Sequence, residues 1–286
     1  MSRFMIVTDS SCDIPQNLLK EWGVECIQLD VLVDGEQLRK NNEVDPTSFY
    51  AGLRQGKLAK TSAANIEDFK MKFRPILESG TDILYIAFSS GLSTTYQSSV
   101  IAADELKEEF PAQTILTVDS LAASLGQGML VYLAVQRQQQ GEDIHAVAAY
   151  LQETIPHQAH WFTVDDLQFL KRGGRISATV ALVGSVLGIK PVLHMDDEGH
   201  LINVSKVRGR TAALAALADK FGETVTDKQA PIFISHGDCA DDAEKLAGIL
   251  KERYAVDVQL CNFVGPVIGA HSGPGTLALF FIAQHR

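Results

Sequence analysis

Residues 83–99 constrain the fold more than any other part of the sequence. They begin with a continuous apolar run, residues 83–88, of the kind typical of a strand buried on both faces. From Tyr96 to Phe110, apolar residues recur at helical spacing. The segment between, residues 89–95, is rich in hydroxyl groups. This pattern predicts a strand, a short loop and a helix, in that order.

The hydroxyl-rich segment 89–95 is a candidate anion site. Five of its seven residues are serine or threonine, which is more than a helix cap requires. Backbone N–H groups and hydroxyls in front of a helix N-terminus favour an anion such as a carboxylate or a phosphate. Two interpretations stay open here, a simple helix cap and a ligand-binding loop.

Strands and helices alternate over the first 150 or so residues. We predict strands at 4–8, 24–29, 83–88 and 114–118, and helices from Pro15 to about Trp22, from Pro46 to Arg54, around Phe69–Leu77 and at 121–139. Residues 60–65 are predicted to form a polar loop ahead of the Phe69–Leu77 helix. Such alternation is typical of a parallel sheet with helices on both faces. Three strands end in polar residues, at Asp9-Ser10-Ser11, Ser89-Ser90-Gly91 and Asp119-Ser120. Because ligands bind beyond the carboxyl ends of strands in such sheets, this edge is the predicted site, although each aspartate alone could be a cap or turn former.

The second half has a different pattern. Residues 189–195, the turn at Asp197-Glu198-Gly199 and residues 201–207 predict two antiparallel strands. Helices are predicted at 179–187, 211–221 and 240–254, and strands at 161–164, 232–235, 256–263 and 276–282. The predicted fold class is α/β, with an N-terminal parallel-sheet α/β/α domain at 1–157 and a C-terminal α/β domain at 158–286 whose sheet is mixed and largely antiparallel.

The charge and the cysteines exclude several classes of function. A formal net charge of −10 argues against nucleic acid or an anionic membrane surface as the main partner. Lys190 interrupts the longest apolar stretch, so we expect no stable membrane insertion. Four widely spaced cysteines indicate reduced thiols in a cytoplasmic protein. The histidines lack metal-ligand spacing, and we expect no metal and no cofactor.

Two basic clusters stand out in this acidic chain. They are Lys171, Arg172 and Arg175 around a Gly-Gly pair, and Lys206, Arg208 and Arg210. Each cluster could bind an anion or dock an acidic partner, or it could be a solvated turn and a charge-protected strand edge. His271 lies among glycines and prolines, where it could donate to an anionic head group or order its loop with one hydrogen bond.

Six short motifs in order make the sequence resemble the DegV family of bacterial fatty-acid-binding proteins, which includes the acyl-carrying subunits of fatty acid kinase. They are residues 8–10 (TDS), 60–62 (KTS), 89–93 (SSGLS) with 95–98 (TYQS), 171–177 (KRGGRIS), 189–191 (IKP) and 269–275 (GAHSGPG). Each motif alone is weak, but all six in order are specific. The resemblance implies two domains that hold one long-chain fatty acid in a tunnel between them.

The resemblance also implies the site residues. Family hydroxyls that hold the carboxylate correspond to Thr61 and Ser93, with His271 close by and the Arg172–Arg175 turn near the tunnel mouth. The full predicted ligand set is Thr61, Ser62, Gly91, Ser93, Thr94, His271 and Arg172, and the predicted partner-docking set is Arg175, Lys206 and Arg208. Two departures affect the head-group geometry: Ala63-Ala64 replace a Gln-Pro of many relatives, and Thr94 replaces a glycine.

By the same resemblance, the chain is a lipid-binding subunit with no catalytic residue, and it presents the carboxylate to a partner fatty acid kinase that forms an acyl phosphate. The sequence has no phosphate-binding glycine motif of its own. One alternative is a serine hydrolase with Ser93 as nucleophile, His271 as base and Asp9 or Asp119 as orienter, although Ser93 lacks the second glycine of a G-x-S-x-G elbow. Another is a sensor or enzyme for a small anionic metabolite.

Overall fold

A computed structural model describes residues 4–176 and 188–286. The helix predicted at 179–187 lies outside these ranges. The strands are β1 (Phe4–Asp9), β2 (Glu25–Ile27), β3 (Asp30–Val33), β4 (Arg39–Lys40), β5 (Ala59–Ser62), β6 (Asp82–Ala87), β7 (Ile115–Asp119), β8 (Gln158–Thr163), β9 (Ile189–Met195), β10 (Leu201–Arg208), β11 (Phe233–His236), β12 (Leu260–Phe263) and β13 (Leu277–Ile282). The helices are α1 (Gln16–Glu21), α2 (Pro46–Arg54), α3 (Ile66–Glu78), α4 (Thr95–Glu109), α5 (Leu125–Gln139), α6 (Ile144–Thr154), α7 (Gln168–Arg172), α8 (Arg210–Thr224), α9 (Ala240–Tyr254) and α10 (Pro266–Ser272).

The first sheet is parallel, in the order β2-β1-β6-β7. All six residues of β6 are buried, as its continuous apolar run predicts. Leu84 and Ile86 pack with α5 and α6 on one face. Ile83 and Tyr85 pack with α3 and α4 on the other. The predicted parallel sheet with helices on both faces is therefore confirmed.

The second sheet has the order β10-β9-β8-β13-β11-β12. Every neighbouring pair is antiparallel except β11 and β12, which are parallel. Helices α8 and α9 cover one face, where Trp161 and Phe281 contribute to the core. On the other face, Ala278 and Phe280 pack against α5. The predicted mixed, largely antiparallel sheet is confirmed, and its second face lies against the first half of the chain.

All strands of the second sheet lie after residue 157. We therefore propose that the chain divides into two domains at this point, and we call residues 4–157 the N-terminal half and the remainder the C-terminal half. Within the described residues, no helix is long and apolar enough to cross a membrane.

Several local predictions were wrong. Residues 60–62 are not a loop: they form most of β5, which pairs with β3 in a small antiparallel sheet of order β4-β3-β5. Helix α5 begins at Leu125 rather than at 121, because Leu121 and Ser124 have positive φ angles of 47° and 55°. Helix α6 was not predicted. His271 lies in the short helix α10 and not in an irregular loop.

Candidate functional site

A cavity of about 360 Å³ lies between the two halves of the chain. Its volume falls in the range of about 300–1,000 Å³ that is usual for small-molecule sites. Most of the wall is apolar and comes from both halves: Leu29, Phe88, Leu92, Phe162, Leu170, Met195, Leu201, Val264, Val267, Ile268, Ala278 and Phe280. The cavity therefore suits a ligand that is mostly hydrocarbon.

The Thr61–His271 pair is one polar part of this wall. Thr61 comes from β5 and His271 from α10, and their Oγ1 and Nε2 atoms are 2.8 Å apart. Burial, together with the smaller effect of the positive charge of Arg175, lowers the pKa of His271 to about 4. The imidazole is therefore neutral near pH 7, with one ring nitrogen that donates and one that accepts.

Ser93 lies on the cavity wall two residues before the start of α4 at Thr95. Its Oγ accepts a hydrogen bond from the backbone N–H of Thr95 at 3.2 Å and is 2.9 Å from Thr95 Oγ1. Ser93 thus binds the first N–H of the helix while its own hydroxyl hydrogen can still be donated. Ser93 can therefore cap the helix and bind a ligand at the same time, so the two interpretations of this segment do not exclude each other.

Arg175 also lies in the cavity wall, although we predicted it to dock a partner. Its Nε donates to the carbonyl of Leu92 at 3.1 Å, and its Nη1 donates to the carbonyl of Gly173. Burial lowers the pKa of the guanidinium. The side chain links the turn after α7 to the segment that carries Ser93, and it brings a positive charge next to His271. Its docking role stays a prediction.

Two glycines allow close packing that a side chain would block, and the contact at Gly91 lies between the two halves. A Cβ on Gly91 would lie 2.7 Å from the carbonyl oxygens of Glu198 and Gly199 in the β9–β10 turn. Ser89 Oγ donates a hydrogen bond to the Gly199 carbonyl at 2.9 Å. A Cβ on Gly173 would overlap His271 Nδ1. Gly91 lines the cavity, and its lack of a side chain lets the β9–β10 turn lie against the Ser89–Ser93 segment.

The other predicted residues lie in different places. Ser62 and Thr94 line the cavity and are exposed. Arg172 lines an adjoining cavity of about 350 Å³, which shares Thr61, Arg175 and His271 with the first, and its guanidinium lies 4.6 Å from the ring centre of Phe169. Lys206 and Arg208 are exposed on β10, the edge strand of the second sheet. The cavity hydroxyls of Thr61 and Ser93 thus lie apart from the cations Lys206 and Arg208 on β10.

The two aspartates of the hydrolase hypothesis are engaged elsewhere. Asp9 is fully buried and accepts hydrogen bonds from Tyr85 OH at 2.7 Å and from the N–H of Phe88 at 3.0 Å. Asp119 accepts from the N–H groups of Ser90 and Leu121, each at 3.1 Å. Within residues 4–176 and 188–286, neither carboxylate contacts His271. Both order strand ends, so the described geometry does not support a Ser93–His271–Asp triad.

The polar residues of the wall that were missed from the sequence include Ser124, His160 and Ser235. Ser124 Oγ donates to Asp13 Oδ2 at 2.5 Å and lies 2.9 Å from Ser235 Oγ. Burial raises the pKa of Asp13 to about 7. His160 faces the cavity because it alternates along β8 with Trp161, which packs under α8 and α9. This alternation of side chains along β8 is the sequence signal that could have indicated His160. The packing of the sheet then decides which of its two faces meets the cavity.

Comparison with known proteins gives a consistent result. A family model described as an uncharacterised protein of the DegV family matches residues 3–284. A DegV domain-containing protein of Clostridium perfringens is 42% identical over 289 residues, covering 100% of this chain and 99% of its own. One from Streptococcus pyogenes is 35% identical over 284 residues, covering 99% of each chain.

Solved structures show the same fold. A DegV family protein from Thermus thermophilus, described for its fatty acid binding, superposes with a TM-score of 0.87 and 31% identity, covering 99% of this chain and 100% of its own. DegV of Bacillus subtilis, described as a fatty acid binding protein, superposes with a TM-score of 0.85 and 27% identity, covering 99% and 100%.

Proposed function

The chain belongs to the DegV family, and from this premise we propose that it binds one long-chain fatty acid in the cavity between its halves. The observation that carries the proposal is an apolar cavity with the hydroxyls of Thr61 and Ser93 on its wall. Relatives of 27% and 31% identity that are described as fatty acid binding proteins support the same ligand class.

The head group is the carboxylate, and the Thr61–His271 pair accounts for how it is held. A carboxylate only accepts hydrogen bonds. When neutral His271 donates from Nε2 to Thr61 Oγ1, the threonine hydroxyl is free to donate to the ligand. In the opposite tautomer, Nε2 would accept the hydroxyl hydrogen of Thr61, which could then not be donated to the ligand. His271 is therefore a positioning residue for Thr61, and Ser93 supplies a second hydroxyl donor.

The acyl tail supplies most of the affinity. About 15 methylenes at ~0.8 kcal/mol each give ~12 kcal/mol of gross transfer free energy. Loss of translational and chain freedom on binding offsets a large part of it. Binding of a shorter acid should therefore weaken steeply with each methylene removed, while the hydroxyl donors fix the orientation of the chain.

We also propose that the bound carboxylate is presented to a separate kinase. Ser62 and Thr94 lie on the cavity wall and are exposed, so the cavity reaches the surface beside the hydroxyls of Thr61 and Ser93. Neutral donors leave electron density on the carboxylate oxygen. That oxygen would attack the terminal phosphorus of a nucleoside triphosphate held by the kinase. A bond forms between the carboxylate oxygen and this phosphorus, the bond from the phosphorus to the nucleoside diphosphate breaks, and an acyl phosphate and a nucleoside diphosphate result.

Native mass spectrometry of the purified protein tests the binding proposal. We expect one C14–C18 acid per chain, and one equivalent of hexadecanoic acid taken up after delipidation. A protein that carries no lipid, takes up none and hydrolyses an ester would favour the hydrolase. A protein that takes up none and instead binds a small phosphorylated metabolite would favour the sensor.

A further inference from the structure

His160 is a buried polar side chain of the cavity wall that the hydrocarbon chain of a simple fatty acid leaves without a partner. His160 lies on β8, is 2% exposed, and lines the cavity with its neighbours Phe162 and Phe280. Among the described residues, neither of its ring nitrogens has a hydrogen-bond partner. Its ring meets that of Phe280 edge to face at 5.6 Å.

The surroundings of His160 keep the ring neutral. Burial lowers its pKa well below the ordinary value, and the positive charge of Arg286 acts in the same direction. A neutral imidazole has one N–H donor and one acceptor nitrogen. The methylenes of an alkyl chain can satisfy neither, and buried polar groups in folded proteins are nearly always hydrogen-bonded.

Other polar groups lie on the same wall. Ser124 and Ser235 line the cavity and their hydroxyl oxygens are 2.9 Å apart. Ser124 Oγ is 2.5 Å from Asp13 Oδ2 and 2.9 Å from Ser235 Oγ, and its single hydroxyl hydrogen can be donated to only one of them, so Ser235 keeps hydrogen-bonding capacity for a ligand. The apolar wall is thus interrupted by a polar set (His160, Ser124 and Ser235), which is separate from the Thr61–His271 pair.

We propose that the preferred ligand is a long-chain acid with a hydroxyl group on its acyl chain, and that His160 binds this hydroxyl. The inference rests on the proposed function and names the substrate class within it. An alcohol donates to one ring nitrogen or accepts from the other, so it suits either tautomer of His160, whereas a ketone or an ether can only accept. The alternative occupant is an ordered water, which would leave the unsubstituted acid preferred.

The test is a calorimetric titration of delipidated protein with octadecanoic acid and with monohydroxy-octadecanoic acids that differ in hydroxyl position. We expect at least one positional isomer to bind about ten-fold more tightly than the unsubstituted acid. His160→Phe should remove this advantage, so that the variant binds the hydroxy acids no more tightly than it binds octadecanoic acid. His160→Asn keeps a donor and an acceptor, and it should retain part of the preference.

Two outcomes would overturn the inference and leave fatty acid binding intact. In one, no hydroxy acid binds more tightly than octadecanoic acid to the wild-type protein, a comparison that needs no variant. In the other, the advantage survives in His160→Phe, so that the hydroxyl is recognised elsewhere. If the wild-type protein binds neither kind of acid, the proposed function itself fails, and this result is distinct from both.

Discussion

At the scale of single residues, Thr61 depends on His271 for its chemistry. The threonine hydroxyl has one hydrogen, and the direction of its 2.8 Å contact with Nε2 decides whether that hydrogen reaches a ligand. Burial holds the pKa of His271 at about 4, so the ring stays neutral and its tautomer, not its charge, sets this direction. The Thr61–His271 hydrogen bond therefore joins β5 to α10 and also orients a hydroxyl of the proposed site.

Replacing Thr61 or Ser93 by alanine should weaken fatty acid binding by about ten- to a hundred-fold, since a hydrogen bond to a charged group contributes about 1.5–3 kcal/mol. Thr61→Ser is the matched control, because it keeps the hydroxyl and should bind nearly as wild type. Titration calorimetry on delipidated protein gives the affinities. Unchanged affinity in both alanine variants would place the carboxylate elsewhere.

Asp13 predicts a pH effect on stability. Burial raises its pKa to about 7 from 3.8, so its contribution to folding is present at low pH and is lost as pH rises toward 7. Asp13→Asn cannot ionise. Its free energy of unfolding relative to wild type should therefore increase by about 2–3 kcal/mol between pH 5 and pH 8.

Urea denaturation of wild type and Asp13→Asn at the two pH values measures this difference. Asp104→Asn, an exposed position on α4, is the control and should show no such change with pH. A difference for Asp13→Asn that stays constant between the two pH values would contradict a raised pKa of this carboxyl.

At the scale of elements, the close approach of the β9–β10 turn to the Ser89–Ser93 segment fixes the start of α4. In Gly91→Ala, the new Cβ would meet backbone carbonyls that cannot move independently. We expect a loss of about 1–3 kcal/mol in the free energy of unfolding and weaker fatty acid binding. Gly248→Ala, in α9 with nothing within 4 Å of the new Cβ, should instead stabilise by about 0.5–1 kcal/mol.

Urea denaturation and titration of both glycine variants would decide the point. If Gly91→Ala were as stable as wild type, the contact between the two halves would be looser than the structure indicates. If it were destabilised but bound the acid normally, the position of α4 would not matter for the head group.

The sequence predicts those strands whose own residues carry a recognisable local pattern. Continuous apolar runs predicted β1, β6 and β7, and a strand–turn–strand pattern predicted β9 and β10. In contrast, β5 is a strand because it pairs with β3, placing Thr61 opposite Val31, and residues 60–62 carry no apolar pattern of their own. His160 was missed for a similar reason, since its place in the cavity depends on the packing of the second sheet.

At the scale of the whole molecule, the cavity exists because the second sheet packs through α5 against the N-terminal half of the chain. The predicted hydroxyl residues came from a resemblance of motifs, because Thr61 and His271 are 210 residues apart and no local pattern relates them. The β10 cations lie outside both cavities described above, so ligand binding and partner docking can be separated by experiment.

Replacing Lys206 and Arg208 together by serine should leave fatty acid affinity unchanged and reduce acyl-phosphate formation by a fatty acid kinase. The physical reason is that exposed cations steer an acidic partner surface, and this effect fades as salt screens it. Lys20→Ser, an exposed lysine of α1, is the control.

Lipid titration and kinase-coupled turnover at two salt concentrations measure both properties. Loss of lipid binding in step with turnover would move these cations into the ligand site. A loss of turnover equal at low and high salt would argue against electrostatic docking.

The most direct measurement is a crystal structure of the delipidated protein soaked with, or crystallised with, hexadecanoic acid. We expect one acyl chain in the cavity between the two halves, with its carboxylate within hydrogen-bond distance of Thr61 Oγ1 and Ser93 Oγ. A carboxylate bound instead beside Ser124 and Ser235, or a chain bound outside this cavity, would contradict it.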